Sequence, residues 1–89
     1  MFYFDDTGEW TYDNDRKAVV FYVNIHNLLY KCVIPRQALE SRYGVCAEDW
    51  LVLEMARDNA DRITTQLKRV ITRSEYRNKE GTITLHVLN

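Results

Sequence analysis

The sequence predicts an α+β domain in which a short and a long helix cover one face of an antiparallel sheet. Two apolar runs around residues 26–27 predict an N-terminal β-hairpin, and an alternating segment at 82–87 predicts a C-terminal strand. Between them, residues 48–73 contain no Gly or Pro and carry apolar side chains at helical spacing. Strands followed by helices and a last strand are typical of α+β folds. A chain of 89 residues supplies one core, so we expect a single domain, 1–89.

The hairpin has a register that the sequence fixes. Short strands are expected at 2–5 and 10–12, ahead of it. A two-residue turn at His26-Asn27, or a four-residue loop at 25–28, aligns the same apolar pairs on one face: Ile25 with Leu28, Val23 with Tyr30, Phe21 with Cys32, and Val19 with Ile34. The other face is mixed, with Val20 opposite Val33, Tyr22 opposite Lys31, and Asn24 opposite Leu29.

The short helix is expected at 35–43. Pro35 suits a first helical turn, and Gly44 suits the position just after a helix, where the backbone turns left-handed. In the last strand, the alternation predicts that Ile83, Leu85 and Val87 are buried.

The long helix is expected at about 48–73. Its apolar seam steps by three and four residues, with Trp50 and Val52 flanking its start: Leu53, Ala56, Ala60, Ile63, Leu67 and Val70. A straight helix of this length spans about 39 Å, whereas four strands are only about 20 Å wide. Either the helix bends or ends early, or Leu67, Val70 or Ile71 extends past the sheet and a second copy covers it in a homodimer.

Composition excludes several classes of protein. An apolar content of 46% excludes disorder. A mean hydropathy of −0.42 and the lack of a long apolar run predict no transmembrane helix, and no membrane partner is expected. The N-terminus lacks the basic and long apolar regions of a signal peptide, so a cytoplasmic location is expected. A net charge of −1 gives no overall basic field for nucleic acid.

The residues that could carry catalysis are few. Cys32 and Cys46 are fourteen positions apart, which fits neither a redox motif nor half of a zinc site, so two free thiols are expected. Cys32 is expected in the core, about 20 Å along the strand from His26. Cys46 follows Gly44 in a loop, and its pairing with His86 stays open. We predict no catalytic residue, no metal site and no cofactor.

Charge and aromatic side chains give the candidate interaction surface. Residues 1–15 hold five acids and no base, whereas 62–79 hold six bases: Arg62, Lys68, Arg69, Arg73, Arg77 and Lys79. This basic stretch is a solvated helix end, a complement to the acidic segment within one chain or across a dimer, or a nucleic-acid surface. Trp10 and Tyr22 either are exposed for binding or seal the sheet.

One segment carries a family resemblance. It runs Cys32-Val33-Ile34-Pro35-Arg36-Gln37-Ala38-Leu39-Glu40-Ser41-Arg42-Tyr43-Gly44. It resembles the pattern Cys-x-Ile-Ser-x-x-Ala-Leu-Glu-x-x-Phe-Gly of the small bacterial proteins grouped as domain of unknown function 1488. Val19, Phe21 and Trp10 fit the preceding strand and early Trp of that family. Pro35 replaces a capping Ser, and Tyr43 replaces Phe. The resemblance implies a compact cytosolic protein and assigns no activity, so it transfers no site residue.

These observations predict a non-enzymatic protein-interaction or regulatory module that binds an unknown protein partner. A nucleic-acid-binding module that uses the basic 62–79 stretch is the alternative.

Overall fold

The described part of the chain is an α+β arrangement of five short or medium strands and three helices. A computed structural model describes residues 4–6, 9–25, 28–72 and 82–88. In chain order the elements are β1 (Phe4–Asp6), β2 (Thr11–Asp13), β3 (Ala18–Ile25), β4 (Leu28–Pro35), α1 (Arg36–Tyr43), α2 (Asp49–Asp58), α3 (Ala60–Thr72) and β5 (Thr82–Thr84). All five strands belong to one sheet, with the order β1-β3-β4-β5 and with β2 also paired to β3.

The central hairpin has the predicted register. β3 and β4 are antiparallel, and Ile25 faces Leu28 while Val19 faces Ile34. Phe21 and Cys32 are paired and fully buried, as the alternation predicted. The predicted turn at His26-Asn27 lies outside the described residues.

Trp10 enters the core at an interruption of the edge strand. β4 occupies one side of β3 along its whole length, so β1 and β2 share the other side. Asp6 faces Val23 and Thr11 faces Val20, so four residues of the N-terminal segment stand against two of β3. At the end of this interruption the Trp10 ring stacks on Phe21, with ring centroids 3.9 Å apart and planes within 2°. The extra residues let one aromatic side chain leave the strand and pack inward.

The turn between β2 and β3 connects the sheet to the first helix. The Asp13 carboxylate accepts hydrogen bonds from the backbone N–H groups of Asp15 and Arg16, at 3.0 and 3.3 Å. Lys17 then adopts a left-handed φ of 50°, and its carbonyl accepts the Arg36 N–H at 2.9 Å. The turn therefore holds the point at which α1 begins.

The short helix follows prediction closely. Pro35 ends β4 and is the N-cap of α1, with no side-chain cap. Gly44 has φ 121° and ψ 156°, a backbone conformation that only glycine adopts readily, and its N–H donates to the Glu40 carbonyl at 2.9 Å. No atom lies within 4 Å of where a Cβ would be, so the requirement for glycine comes from the backbone alone.

The prediction of one helix over 48–73 is wrong, because Asn59 divides it into α2 and α3. Asn59 has φ −111° and ψ 18°, and its side-chain amide donates to the Met55 carbonyl at 2.8 Å. Its own carbonyl accepts the Ile63 N–H at 3.0 Å. Asparagine favours such caps because its side chain competes with the backbone for hydrogen bonds. The break keeps the seam on the sheet: Ile63 and Leu67 are buried, and Val70 packs against the core.

The break also removes the length argument for a homodimer. That argument required a straight helix of about 39 Å, and neither α2 nor α3 is so long. The homodimer stays a prediction without this support.

The sheet is mostly antiparallel, as predicted, and its last strand is the exception. β5 pairs parallel to β4, with Cys32 facing Ile83, because the chain leaves β4 through the helices and returns in the same direction. β5 ends at Thr84, earlier than the predicted 87. Ile83 and Leu85 are buried as expected, but Val87 is 72% exposed, and Leu88 is buried in its place because the strand alternation has ended.

The two faces of the sheet differ sharply. The core lies on the face that the helices cover, and it includes Phe21, Ile34, Val52 and Leu67. The other face has a small buried cluster of Ala18, Val20 and Val33, to which the described helices contribute nothing.

Candidate interaction site

Arg36 joins three parts of the fold at the corner between α1 and α2. Its Nε lies 3.2 Å from a Glu40 carboxylate oxygen, its Nη1 lies 2.7 Å from Asp49 Oδ1, and its Nη2 donates to the Cys46 carbonyl at 2.5 Å. The second Glu40 oxygen accepts the Cys46 N–H at 3.0 Å. We call Arg36, Glu40, Cys46 and Asp49 the corner cluster; it fixes the loop and the first turn of α2.

The surroundings of Arg36 favour its charged form. The neighbouring Tyr12 hydroxyl and then the Glu40 carboxylate raise the pKa of Arg36 above its usual value, against the opposing effect of burial. The Tyr12 hydroxyl is buried, and no group in the described part of the chain lies in hydrogen-bonding geometry to it. The Tyr12 hydroxyl therefore affects the pKa of Arg36 through proximity.

Trp50 projects into solvent from the first turn of α2. It is 63% exposed, the largest side chain among the exposed apolar residues of the described chain. Helical geometry places Trp50, Glu54 and Asp58 one turn apart, on the side opposite the buried Val52 and Ala56. Neither Glu54 nor Asp58 forms an ion pair with another described residue. This surface, Trp50 with Glu54 and Asp58, is hereafter the α2 face.

Three of the predicted basic residues lie exposed on α3: Arg62, Lys68 and Arg69. Arg62 and Arg69 line one open groove together with Thr65 and Gln66, and Asp61 also borders it. Gln66 donates to the Val87 carbonyl at 2.7 Å, which holds the C-terminal segment beside the helix. The remaining predicted basic residues lie outside the described part of the chain: Arg73, Arg77 and Lys79.

The two aromatic residues of the predicted surface, Trp10 and Tyr22, differ in solvent exposure. Trp10 is only 4% exposed, so its assignment to an interaction surface is wrong: the strand interruption turns it inward onto Phe21. Tyr22 is 40% exposed on the uncovered face of the sheet, which also carries Leu29 at 61%.

The structure does not bring a nucleophile and a base together at the predicted positions. Both cysteines are free, and Cys32 is buried. The Cys46 thiol lies 3.8 Å from the Met55 sulfur and makes no hydrogen bond to His86, which lines a groove between α1 and the C-terminal segment. In the described ranges, no three His, Cys, Asp or Glu side chains are grouped so as to hold a metal ion.

Comparison with known proteins identifies the family. The model for proteins of unknown function (DUF1488) matches residues 3–85. The chain belongs to the DUF1488 family. Its fold is similar to that of a DUF1488 protein of unknown function from Shewanella loihica PV-4, with a TM-score of 0.84 at 17% identity, covering 97% of this chain and 94% of that one. No curated protein matches.

Family membership confirms the resemblance drawn from residues 32–44 and gives the fold a crystallographic counterpart. At 17% identity the DUF1488 neighbour supports the fold alone. None of the described helices is long and apolar enough to cross a membrane.

Trp50 is the surface residue of this DUF1488 chain that sequence reasoning missed. In the predicted long helix, Trp50 is grouped with Val52 at the start of the apolar seam. A stricter use of helical phase would have found it, since two residues rotate the chain by about 200°. Trp50 therefore points away from Val52 and Ala56, towards the same side as Glu54.

Proposed function

We propose that this chain is a non-enzymatic protein-interaction module whose α2 face binds a basic segment of a partner protein. The observation that carries the proposal is a tryptophan with 63% of its surface in water, on an ordered helix of a small domain. Trp is enriched among the residues that dominate binding energy at interfaces, and burying it removes a large apolar area from water.

Charge specifies the chemistry of the partner. Glu54 and Asp58 follow Trp50 along the helix, one and two turns away, and have no ion pair within the described residues. An Arg or Lys side chain can lie over the indole ring and reach one of these carboxylates at the same time. A basic segment therefore fits the α2 face better than an acidic or purely apolar one.

The corner cluster fixes the first turn of α2, the helix that carries the α2 face. Asp49 begins α2 and is held by Arg36 at 2.7 Å, immediately before Trp50 in sequence. A side chain on a helix that is already fixed loses less freedom on binding, which favours affinity.

The test uses the full chain as bait in a native cell lysate, in three forms. Wild type is compared with Trp50→Ala and with Leu29→Ala, which truncates another exposed apolar side chain on the uncovered sheet face. We expect a protein retained by wild type and by Leu29→Ala that is depleted about tenfold or more with Trp50→Ala. Cross-linking with mass spectrometry should then place a Lys- or Arg-rich segment of that protein at α2.

Equal retention by all three forms would contradict the proposal, as would cross-links confined to α3. Cross-links between α2 of one copy and the basic α3 of another, with a dimeric mass by light scattering, would replace the outside partner with a second copy.

A second function rests on the basic surface of α3. Arg62 and Arg69 line one groove without an ion pair in the described chain, so both are free to contact phosphate. Nucleic-acid binding through these residues predicts steep salt dependence, with a slope that falls by about two when Arg62→Gln and Arg69→Gln are combined. Fluorescence anisotropy with labelled RNA and DNA measures this slope, and no binding at low salt would exclude this alternative.

A further inference from the structure

Two open grooves of similar size lie along the two flanks of α1. One has a volume of about 520 Å³ and lies between α1 and the C-terminal segment. The other has a volume of about 510 Å³ and lies between α1 and the turn that ends at Lys17. Both are within the size range of small-molecule sites in proteins. Both grooves are bordered by Pro35, Gln37 and Ser41, and the charged side chains that complete their linings differ. This difference indicates which groove can bind an anion.

The groove at the Lys17 turn is already neutralised from within. Its lining includes three cations, Arg16, Lys17 and Arg36, and the carboxylates of Asp13, Glu40 and Asp49 around them match these cations in number. Arg36 is paired with two carboxylates of the corner cluster, and Arg16 lies 3.7 Å from an Asp13 oxygen. Glu40 itself lines this groove. An added anion would compete with these carboxylates.

The groove at the C-terminal segment, hereafter the α1 groove, has unpaired donors and no carboxylate among the lining residues that the structure describes. Its polar lining consists of Gln37, Ser41, Arg42 and His86. These four side chains make no hydrogen bond or ion pair with described residues, although Arg42 lies 5.2 Å from the centre of the Tyr43 ring. Gln37 and Ser41 are one turn apart on α1 and border both grooves, so Arg42 and His86 are the polar groups that distinguish the α1 groove.

The rest of the α1 groove is apolar. The residues concerned are Pro35, Ala38, Val87 and Leu88. Leu88 is 7% exposed and Val87 is 72% exposed, so the segment offers a packed base and an open apolar rim. The Gln66 bond to the Val87 carbonyl fixes this wall from α3.

We propose that the α1 groove binds a small organic anion. The apolar body of this ligand packs on Pro35, Ala38, Val87 and Leu88, and its phosphate or carboxylate group binds Arg42. The guanidinium supplies paired N–H donors in the geometry that such oxyanions accept. Ser41, Gln37 and the His86 ring provide further hydrogen-bonding groups around the same space. This site is separate from the α2 face and does not depend on the proposed function.

The test follows backbone amide shifts of the full, isotope-labelled chain during titration into the millimolar range. Phenyl phosphate and phenylacetate are the two anionic probes, and benzyl alcohol is the uncharged control. We expect saturable shifts at residues 37–42 and 85–88 with at least one anion, and none with benzyl alcohol. The stronger of the two anions identifies the headgroup as phosphate or carboxylate.

Matched variants separate this site from general attraction by positive charge. Arg42→Gln should weaken binding about tenfold, as the loss of a charged hydrogen bond predicts. Arg16→Gln, which changes a cation of the neutralised groove, should leave the affinity unchanged. The proposal is overturned if neither anion shifts these amides, if benzyl alcohol binds equally, or if Arg16→Gln weakens binding as much as Arg42→Gln.

Discussion

The two tryptophans of this chain occupy opposite environments. Trp10 is 4% exposed and stacked on Phe21, whereas Trp50 is 63% exposed on the outer side of α2. Both lie among apolar and acidic neighbours in sequence. Their difference arises from backbone geometry: an interrupted edge strand turns Trp10 inward, and helical phase turns Trp50 outward. One tryptophan therefore stabilises the fold, and the other is available to a partner.

The largest expected effect is on the free energy of unfolding when each tryptophan is truncated. Trp10→Ala should cost about 3–5 kcal/mol, because it leaves a cavity beside Phe21, whereas Trp50→Ala should cost no more than about 0.5 kcal/mol. Urea denaturation followed by circular dichroism measures both. If Trp10→Ala fails to fold, Trp10→Phe should still be less stable than Trp50→Phe. Equal costs for the two positions would contradict the assigned environments.

The cysteines extend the comparison to two smaller side chains. Cys32→Ser should lower the free energy of unfolding by about 1–3 kcal/mol, because a hydroxyl would be buried among apolar neighbours of Phe21. Cys46→Ser should have little effect, since Cys46 is only partly buried. In the wild type, a thiol reagent should modify Cys46 faster than Cys32. Rapid native labelling of Cys32, located by peptide mass spectrometry, would refute its place in the core.

Arg57 connects the α2 helix to the buried tryptophan. Its Nη2 donates to the Trp10 carbonyl at 3.3 Å. Arg57→Ala should therefore lower the free energy of unfolding by about 0.5–1.5 kcal/mol, as expected for a single hydrogen bond. Arg62→Ala, at an exposed position on α3, is the matched control and should be neutral. Thermal melts of both variants measure the difference, and an equal effect would show that the Arg57 contact contributes nothing.

The smallest expected effect concerns pH and the corner cluster that holds α2. The pKa of Arg36 is raised in the folded chain by Tyr12 and Glu40. A raised pKa means that the stabilisation is complete below the unfolded-state pKa and is lost only as the pH rises through the folded-state value. Arg36→Gln should lower the melting temperature more than Arg16→Gln does. That difference should stay constant between about pH 7 and pH 10, where arginine remains charged. A difference that shrinks within this window would show that Arg36 titrates there.

Part of the candidate sites could have been predicted. The i, i+4 spacing of Arg36 and Glu40 on one helix is visible in the sequence, as is the outward phase of Trp50. The contacts of Arg36 with Cys46 and Asp49 depend on the turn of the chain after Gly44. Likewise, no local pattern places His86 and Arg42 in the lining of one groove, because 44 positions separate them along the chain.

The sequence by itself determined the α+β class, the register of β3 with β4, the start and end of α1, the burial of Cys32 and the apolar seam of the helices. These are local properties, set by side-chain periodicity and by Pro35 and Gly44. Only the tertiary structure decided the break at Asn59, the parallel pairing of β5 and the inward position of Trp10. Each of these is the outcome of a competition between local preference and packing: Asn59 can cap a helix or continue it, and a final strand can pair in either direction. Burial of the seam against the sheet selected the break at Asn59, and burial against Phe21 selected the inward position of Trp10. The return of the chain through the helices selected the parallel pairing of β5.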